Sequence, residues 1–117
     1  MKITNIEAIY VSQTKVRAQC DSGQDALIVK VSTDAGITGI GEVDSAPLAV
    51  KAVIEGPFSH TISTGLKHLL IGQDPFETER LWDLMYRRTI YSGRRGIGLH
   101  AMGGIDLALW DIKGKAL

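Results

Sequence analysis

The strongest constraint on this chain's fold is its last segment, Gly96 to Leu117, which reads GIGLHAMGGIDLALWDIKGKAL. Ala101, Met102, Ile105, Ala108, Leu109 and Ile112 recur at helical spacing and define one apolar stripe. Leu107 and Trp110 fall off that stripe, so apolar surface covers most of the helix circumference. Such a helix requires protein on two sides. The residues before it can cover one side, and none follow to cover the other. The chain is therefore expected to be the front portion of a larger protein, with residues 1–98 forming one domain and residues 99–117 a helix leading toward the missing part.

Upstream, the hydrophobic period is that of strands. Lys2 to Val11 predicts a first strand, with Ile3, Ile9 and Val11 on one face and Ile6, Ala8 and Tyr10 on the other. Asp25 to Thr33 alternates Leu27, Val29 and Val31 against Lys30 and Ser32. Asp34-Ala35-Gly36 then marks a turn, and Ile37 to Val43 returns as a third strand. Between the first two strands, Gln13 to Gln24 is polar and aperiodic. A connection of that length inside a compact domain is often functional.

Helices follow. Pro47 suits the first turn of a helix reaching about Glu55, with Ser45 as its expected N-cap, and Gly56-Pro57 ends it. A second helix is expected from about Phe58 to Leu70, closed by Gly72. A third should open at Asp74-Pro75 and bury Phe76, Leu81, Leu84 and Met85. Tyr91 to Gly98 reads as a Gly/Arg loop before the closing helix. Strands grouped before helices define an α+β fold, a three-stranded antiparallel meander followed by a helical bundle.

Composition removes several function classes. Thirteen basic and thirteen acidic residues cancel, so no global field draws in nucleic acid or an anionic membrane. The local cluster Arg87, Arg88, Arg94 and Arg95 is too small to change that. One cysteine, Cys20, excludes an intrachain disulfide and suits a reducing, cytoplasmic setting. No apolar run is long enough for a signal peptide or membrane span.

Several local patterns imitate chemistry. Lys113-Gly114-Lys115 follows a helix, where lysines answer the negative end of the dipole and Gly114 suits the position just beyond the helix. Asp106 and Asp111 are five apart on a helix, separated by roughly 140° of arc, and cannot converge on one ion. Asp106 is expected to pair or cap within the helix packing. Gly36, Gly39 and Gly41 lie in a hairpin, not between a strand and a helix as a nucleotide fingerprint requires. Gly93, Gly96 and Gly98 do precede a helix beside Arg94 and Arg95, which leaves an anion site physically open. His60, His68 and His100 are too scattered for a metal site.

Three stretches occur in order: DAGITGIGE (Asp34 to Glu42), IGQDPFETERLWDLMY (Ile71 to Tyr86) and GIDLALWDIKGKAL (Gly104 to Leu117). Together they resemble the amino-terminal capping region of the mandelate racemase and muconate lactonizing enzyme family, within the enolase superfamily. YSGRRGIGLHAMGGID (Tyr91 to Asp106) resembles the branch containing acid-sugar dehydratases. The resemblance implies a cap over a modified β/α barrel that is absent from this chain. It also implies Mg²⁺ on barrel carboxylates, where a fixed positive charge stabilises the enolate formed on removal of the proton next to a substrate carboxylate.

On that resemblance the intact protein is a sugar-acid dehydratase, with a racemase or cycloisomerase as the alternative. The chain itself carries no catalytic residue and no metal ligand. The resemblance implies that the loops after the first and third strands close over the barrel mouth, exclude water and set specificity. By position these are about Thr14–Gln24 and Asp44–Pro47. Arg17 can then pair with a carboxylate, while Gln19, Asp21, Ser22, Asp44 and Ser45 can hydrogen-bond a polyol, with Cys20 carried on the same loop. The expected partners are a small sugar acid and further copies of the chain. A free-standing α+β interaction module is the competing reading, and it requires Leu107, Leu109 and Trp110 to be buried within the chain or in a symmetric dimer, whereas a cap is expected to leave all three exposed.

Overall fold

A computed structural model describes residues 1–18, 23–60 and 62–117. Three strands, β1 (Ile3–Ser12), β2 (Asp25–Thr33) and β3 (Thr38–Val43), form an antiparallel sheet in the order β1-β2-β3. Four helices follow: α1 (Pro47–Glu55), α2 (Leu66–Leu70), α3 (Thr78–Arg88) and α4 (Ile97–Ala116). The α+β expectation holds in both architecture and order.

The alternation in β2 sets the sheet's two faces. Leu27, Val29 and Val31 are buried, and the register places Ala8 and Gly41 beside Val29 and Ile6 and Gly39 beside Val31. The face assignment for Ile3 needs correcting. Pairing moves from Ile3 with Thr33 to Asn5 with Ser32, so a bulge at Thr4 resets the alternation. Ile3 therefore joins Ile6 and Ala8 in the core, while Ile9 and Val11 stay exposed on the outer face.

Closing helix α4 lies across the inner face of β2 and β3. Its predicted stripe, Ala101, Met102, Ile105, Ala108, Leu109 and Ile112, is buried throughout. The approach to β3 is backbone on backbone. A Cβ on Gly41 would stand 1.9 Å from the Gly104 carbonyl oxygen, and one on Gly39 would stand 2.0 Å from that of Ala108. The hairpin glycines thus serve helix packing.

Both sheet edges carry the same device. On β1, the Ala8 amide donates to Glu55 Oε1 at 2.9 Å and Lys51 Nζ donates to the Ala8 carbonyl, while Lys51 and Glu55 pair with each other on α1. On β3, the Ile40 amide donates to Asp111 Oδ2 at 2.8 Å and Lys115 Nζ to the Thr38 carbonyl at 2.8 Å. Lys115 and Asp111 pair at 2.6 Å on α4. Each i,i+4 ion pair occupies a donor and an acceptor that an edge strand would otherwise offer to another strand.

Helix boundaries account for the remaining corrections. The residue before α1 is Ala46, in the left-handed region at φ 48°, and Ser45 instead donates from Oγ to Asp44 Oδ1 at 3.1 Å, so Ser45 is not the cap. Helix α2 begins at Leu66, eight residues later than expected. The Gly65 amide bonds the Gly56 carbonyl at 3.0 Å, and Ser59 and Ser63 pair through their backbones at 2.9 Å, as hydroxyl residues after Gly-Pro favour turns over helix. Asp74 Oδ1 accepts the Phe76 amide at 3.0 Å in a local turn, so α3 starts one turn later, at Thr78. Gly114 lies inside α4, which continues to Ala116.

Candidate functional site

In an antiparallel meander the end of β1, the start of β2 and the end of β3 fall on one rim. That topology brings both expected loops together. Val11, Gln13, Gly23, Gln24, Glu42 and Asp44 line a hollow of about 520 Å³ there. Arg17 and Lys15 lie in an adjoining hollow of about 360 Å³, and the two hollows share Gln13 and Gln24. The rim therefore unites Asp44 with the base of the 13–24 loop and sets Arg17 next to them. Ser45 lies beside Asp44 through its hydroxyl. Gln19, Cys20, Asp21 and Ser22 lie outside the described residues.

The loop's base is tied to the sheet. The Gln13 amide donates to the Gln24 carbonyl at 2.8 Å. The Arg17 amide donates to Gln24 Oε1 at 2.7 Å, and Gln24 Nε2 donates to the Arg17 carbonyl at 2.7 Å. Tyr10 Oη donates to Asp25 Oδ2 at 2.9 Å, and this hydrogen bond raises the tyrosine pKa. Gln24 was not singled out from the sequence, because its importance lies in which backbone its amide meets.

Glu42 and Asp44 also border a second groove, of about 570 Å³, which runs toward Trp82, His100, Gly103 and Asp106. Trp82, Leu107 and Trp110 are exposed along this α3–α4 face, at 36%, 56% and 54%, whereas Leu109 is fully buried. Lys113 Nζ lies 4.5 Å from the centre of the Trp110 ring. Asp106 is half-buried beside Trp82, and burial raises its pKa. Its expected pairing role gives way to a place in an open groove, while Asp111 serves the β3 edge. Lys113 and Lys115 are likewise engaged with Trp110 and with Asp111 and Thr38. Arg94 stacks 4.7 Å from the centre of the Tyr86 ring and donates to the Tyr86 carbonyl at 3.2 Å.

Chemically, the rim offers a cation, carboxylates and amides around open hollows, which suits a polar, hydroxylated anion. No group of three or more His, Cys, Asp or Glu that could hold a metal stands together among the described residues. These residues do not fit a Mg²⁺ site. No helix is long and apolar enough to cross a membrane among the described residues.

An α+β cap of this kind, with loops gathered at one rim and an apolar face beside it, defines a class of domain. Residues 5–117 match the family model described as mandelate racemase / muconate lactonizing enzyme, N-terminal domain, and the chain belongs to that family. It is 45% identical over 94 residues to D-galactonate dehydratase of Ralstonia pickettii, covering 78% of this chain and 22% of that one. It is 39% identical over 89 residues to D-galactarolactone cycloisomerase of Agrobacterium fabrum, covering 76% and 21%. Among solved structures, the 3,6-anhydro-D-galactonate cycloisomerase from Zobellia galactanivorans superposes with TM-score 0.80 at 33% identity, covering 99% of this chain and 29% of that one. A member of the enolase superfamily from Salmonella Typhimurium gives TM-score 0.76 at 35% identity, over 98% of this chain and 26% of that one. The chain thus spans about a fifth of the length of the curated relatives it matches.

Proposed function

We propose that this chain is the substrate-facing cap of a Mg²⁺-dependent sugar-acid dehydratase, an enzyme that removes the proton next to a carboxylate and expels a hydroxyl group. The observation that carries the reading is the family match over residues 5–117 combined with a rim on which Arg17, Asp44 and the base of the 13–24 loop adjoin. In this reading the metal and the catalytic bases belong to a separate barrel, and the exposed α3–α4 face with Trp82, Leu107 and Trp110 docks against it. Helix α4 then leads toward that barrel. The cap contributes specificity by exclusion of water and by contact with the far end of the substrate. The cytoplasm and a homo-oligomeric assembly complete the proposal.

Cycloisomerisation of a sugar-acid lactone or anhydro sugar is the second reading. It is favoured by the two cycloisomerases among the relatives, at 39% and 33% identity. Both readings share proton removal next to a carboxyl carbon and differ in the bond that breaks next. The test is an assay of the full protein and of the isolated chain with D-galactonate and, separately, with D-galactarolactone, each with Mg²⁺. The full protein is expected to release the 2-keto-3-deoxy acid, and the chain alone to release none. Turnover by the chain alone contradicts the cap reading, and ring opening of the lactone without loss of water by the full protein, with D-galactonate left unchanged, selects the cycloisomerase.

A further inference from the structure

Only a primary carboxamide presents one donor and one acceptor side by side, the pattern that one residue of a strand presents to its neighbour. Gln24 uses both on a single residue. Its Oε1 receives the Arg17 amide and its Nε2 reaches the Arg17 carbonyl, each at 2.7 Å. The side chain thereby does for Arg17 what one residue of a neighbouring strand would do. Its backbone is anchored as well, since its carbonyl receives the Gln13 amide at 2.8 Å and Asp25, the next residue, begins β2.

The energetic argument favours a purpose for this clasp. An exposed polar loop gains conformational entropy when released, on the order of 1–2 kcal/mol per residue. One neutral hydrogen bond returns about 1 kcal/mol. Two bonds on one residue therefore hold that residue and little else, and the residue held is Arg17. Its side chain is exposed, and among the described residues no carboxylate pairs with its guanidinium. A guanidinium leaving from a fixed backbone point can donate to two neighbouring hydroxyls at once, whereas one on a loose loop loses affinity to the cost of ordering it.

We propose that Gln24 is a positioning residue. By clasping the main chain of Arg17 it fixes where that guanidinium meets the hydroxyls at the far end of a polyhydroxy acid. The inference rests on the cap reading and names the residue that gives its rim a defined cation.

Two measurements on the full protein test it. Hydrogen–deuterium exchange resolves the Arg17 amide. Gln24→Ala, which removes both partners, is expected to speed its exchange roughly tenfold, whereas Gln24→Glu keeps the acceptor of the Arg17 amide and should speed it far less. Exchange in β2 should stay unchanged, which separates loss of the clasp from general unfolding. Steady-state kinetics with D-galactonate then separate positioning from structure. Gln24→Ala and Arg17→Ala should each raise KM roughly tenfold with kcat within about twofold. The double variant should be no worse than Arg17→Ala alone, because Gln24 acts through Arg17. Unchanged exchange at Arg17, additive effects in the double variant, or a fall in kcat with KM intact would each overturn the proposal. If the unsubstituted enzyme does not dehydrate D-galactonate, the substrate assignment fails, and the exchange measurement alone decides whether the clasp exists.

Discussion

Glycine at 41 is fixed by a contact, not by a turn. A methyl group there would meet the Gly104 carbonyl at 1.9 Å, a backbone atom with nowhere to move, and Gly41→Ala should destabilise by about 3 kcal/mol, the upper range for overpacking. Gly103, one residue earlier on the same helix, has nothing within 4 Å, and Gly103→Ala should instead stabilise by about 0.5–1 kcal/mol. Chemical denaturation of the two variants checks the contrast. Asp106 supplies a pH signature. Its folded pKa is raised, so the folded state holds the proton more tightly and stability falls as pH rises through that range. Asp106→Asn should raise the melting temperature at neutral pH, with a gain that shrinks in acid. The spacing of the glycines was legible in the sequence, and so was their unsuitability for a nucleotide. Their partner was not, because nothing local links Gly41 to a residue on the last helix.

At the scale of elements, the strands and the two ends of the helical region were the most legible parts. Period-two alternation located β2 at its observed bounds, and Pro47 with Gly56-Pro57 framed α1. The misassignments came from side chains bonding locally. Asp74 made a turn where a cap was expected, hydroxyl residues displaced the first half of α2, and one extra residue at Thr4 reversed the facing of Ile3. The edge clamps were illegible, since each joins an i,i+4 pair to a distant strand. They yield a second pH prediction. The hydrogen bond from Lys115 and the Ile40 amide depress the Asp111 pKa. Burial acts to raise that of Glu55, but Lys51 and the Ala8 amide outweigh it and leave the pKa lowered. Both carboxylates therefore contribute stability above their unfolded pKa values, and that stability is lost as pH falls through the folded ones. The Glu55→Gln/Asp111→Asn double variant should show a flatter melting-temperature profile below about pH 4, where the ordinary carboxylates titrate. It should also associate more readily at neutral pH, because both strand edges become available. Light scattering and thermal melts across pH report the two effects.

For the whole molecule, one helix serves two surfaces. The stripe of α4 closes the core against the sheet, while Leu107 and Trp110 join Trp82 on an exposed face beside the rim. Sequence periodicity separated stripe from off-stripe residues correctly, with Leu109 on the stripe and buried as that position requires. Because exposed side chains contribute little to a domain's own stability, Leu107→Ser and Trp110→Ser should each shift the unfolding free energy of the isolated chain by no more than about 0.5 kcal/mol. The central claim is that this face is covered by a catalytic partner domain, which makes the chain a cap. Hydroxyl-radical footprinting of Trp82, Leu107 and Trp110, compared between the isolated chain and the full protein, tests it most directly. The account predicts that all three are oxidised in the isolated chain and shielded in the full protein, whereas equal oxidation in both would contradict it.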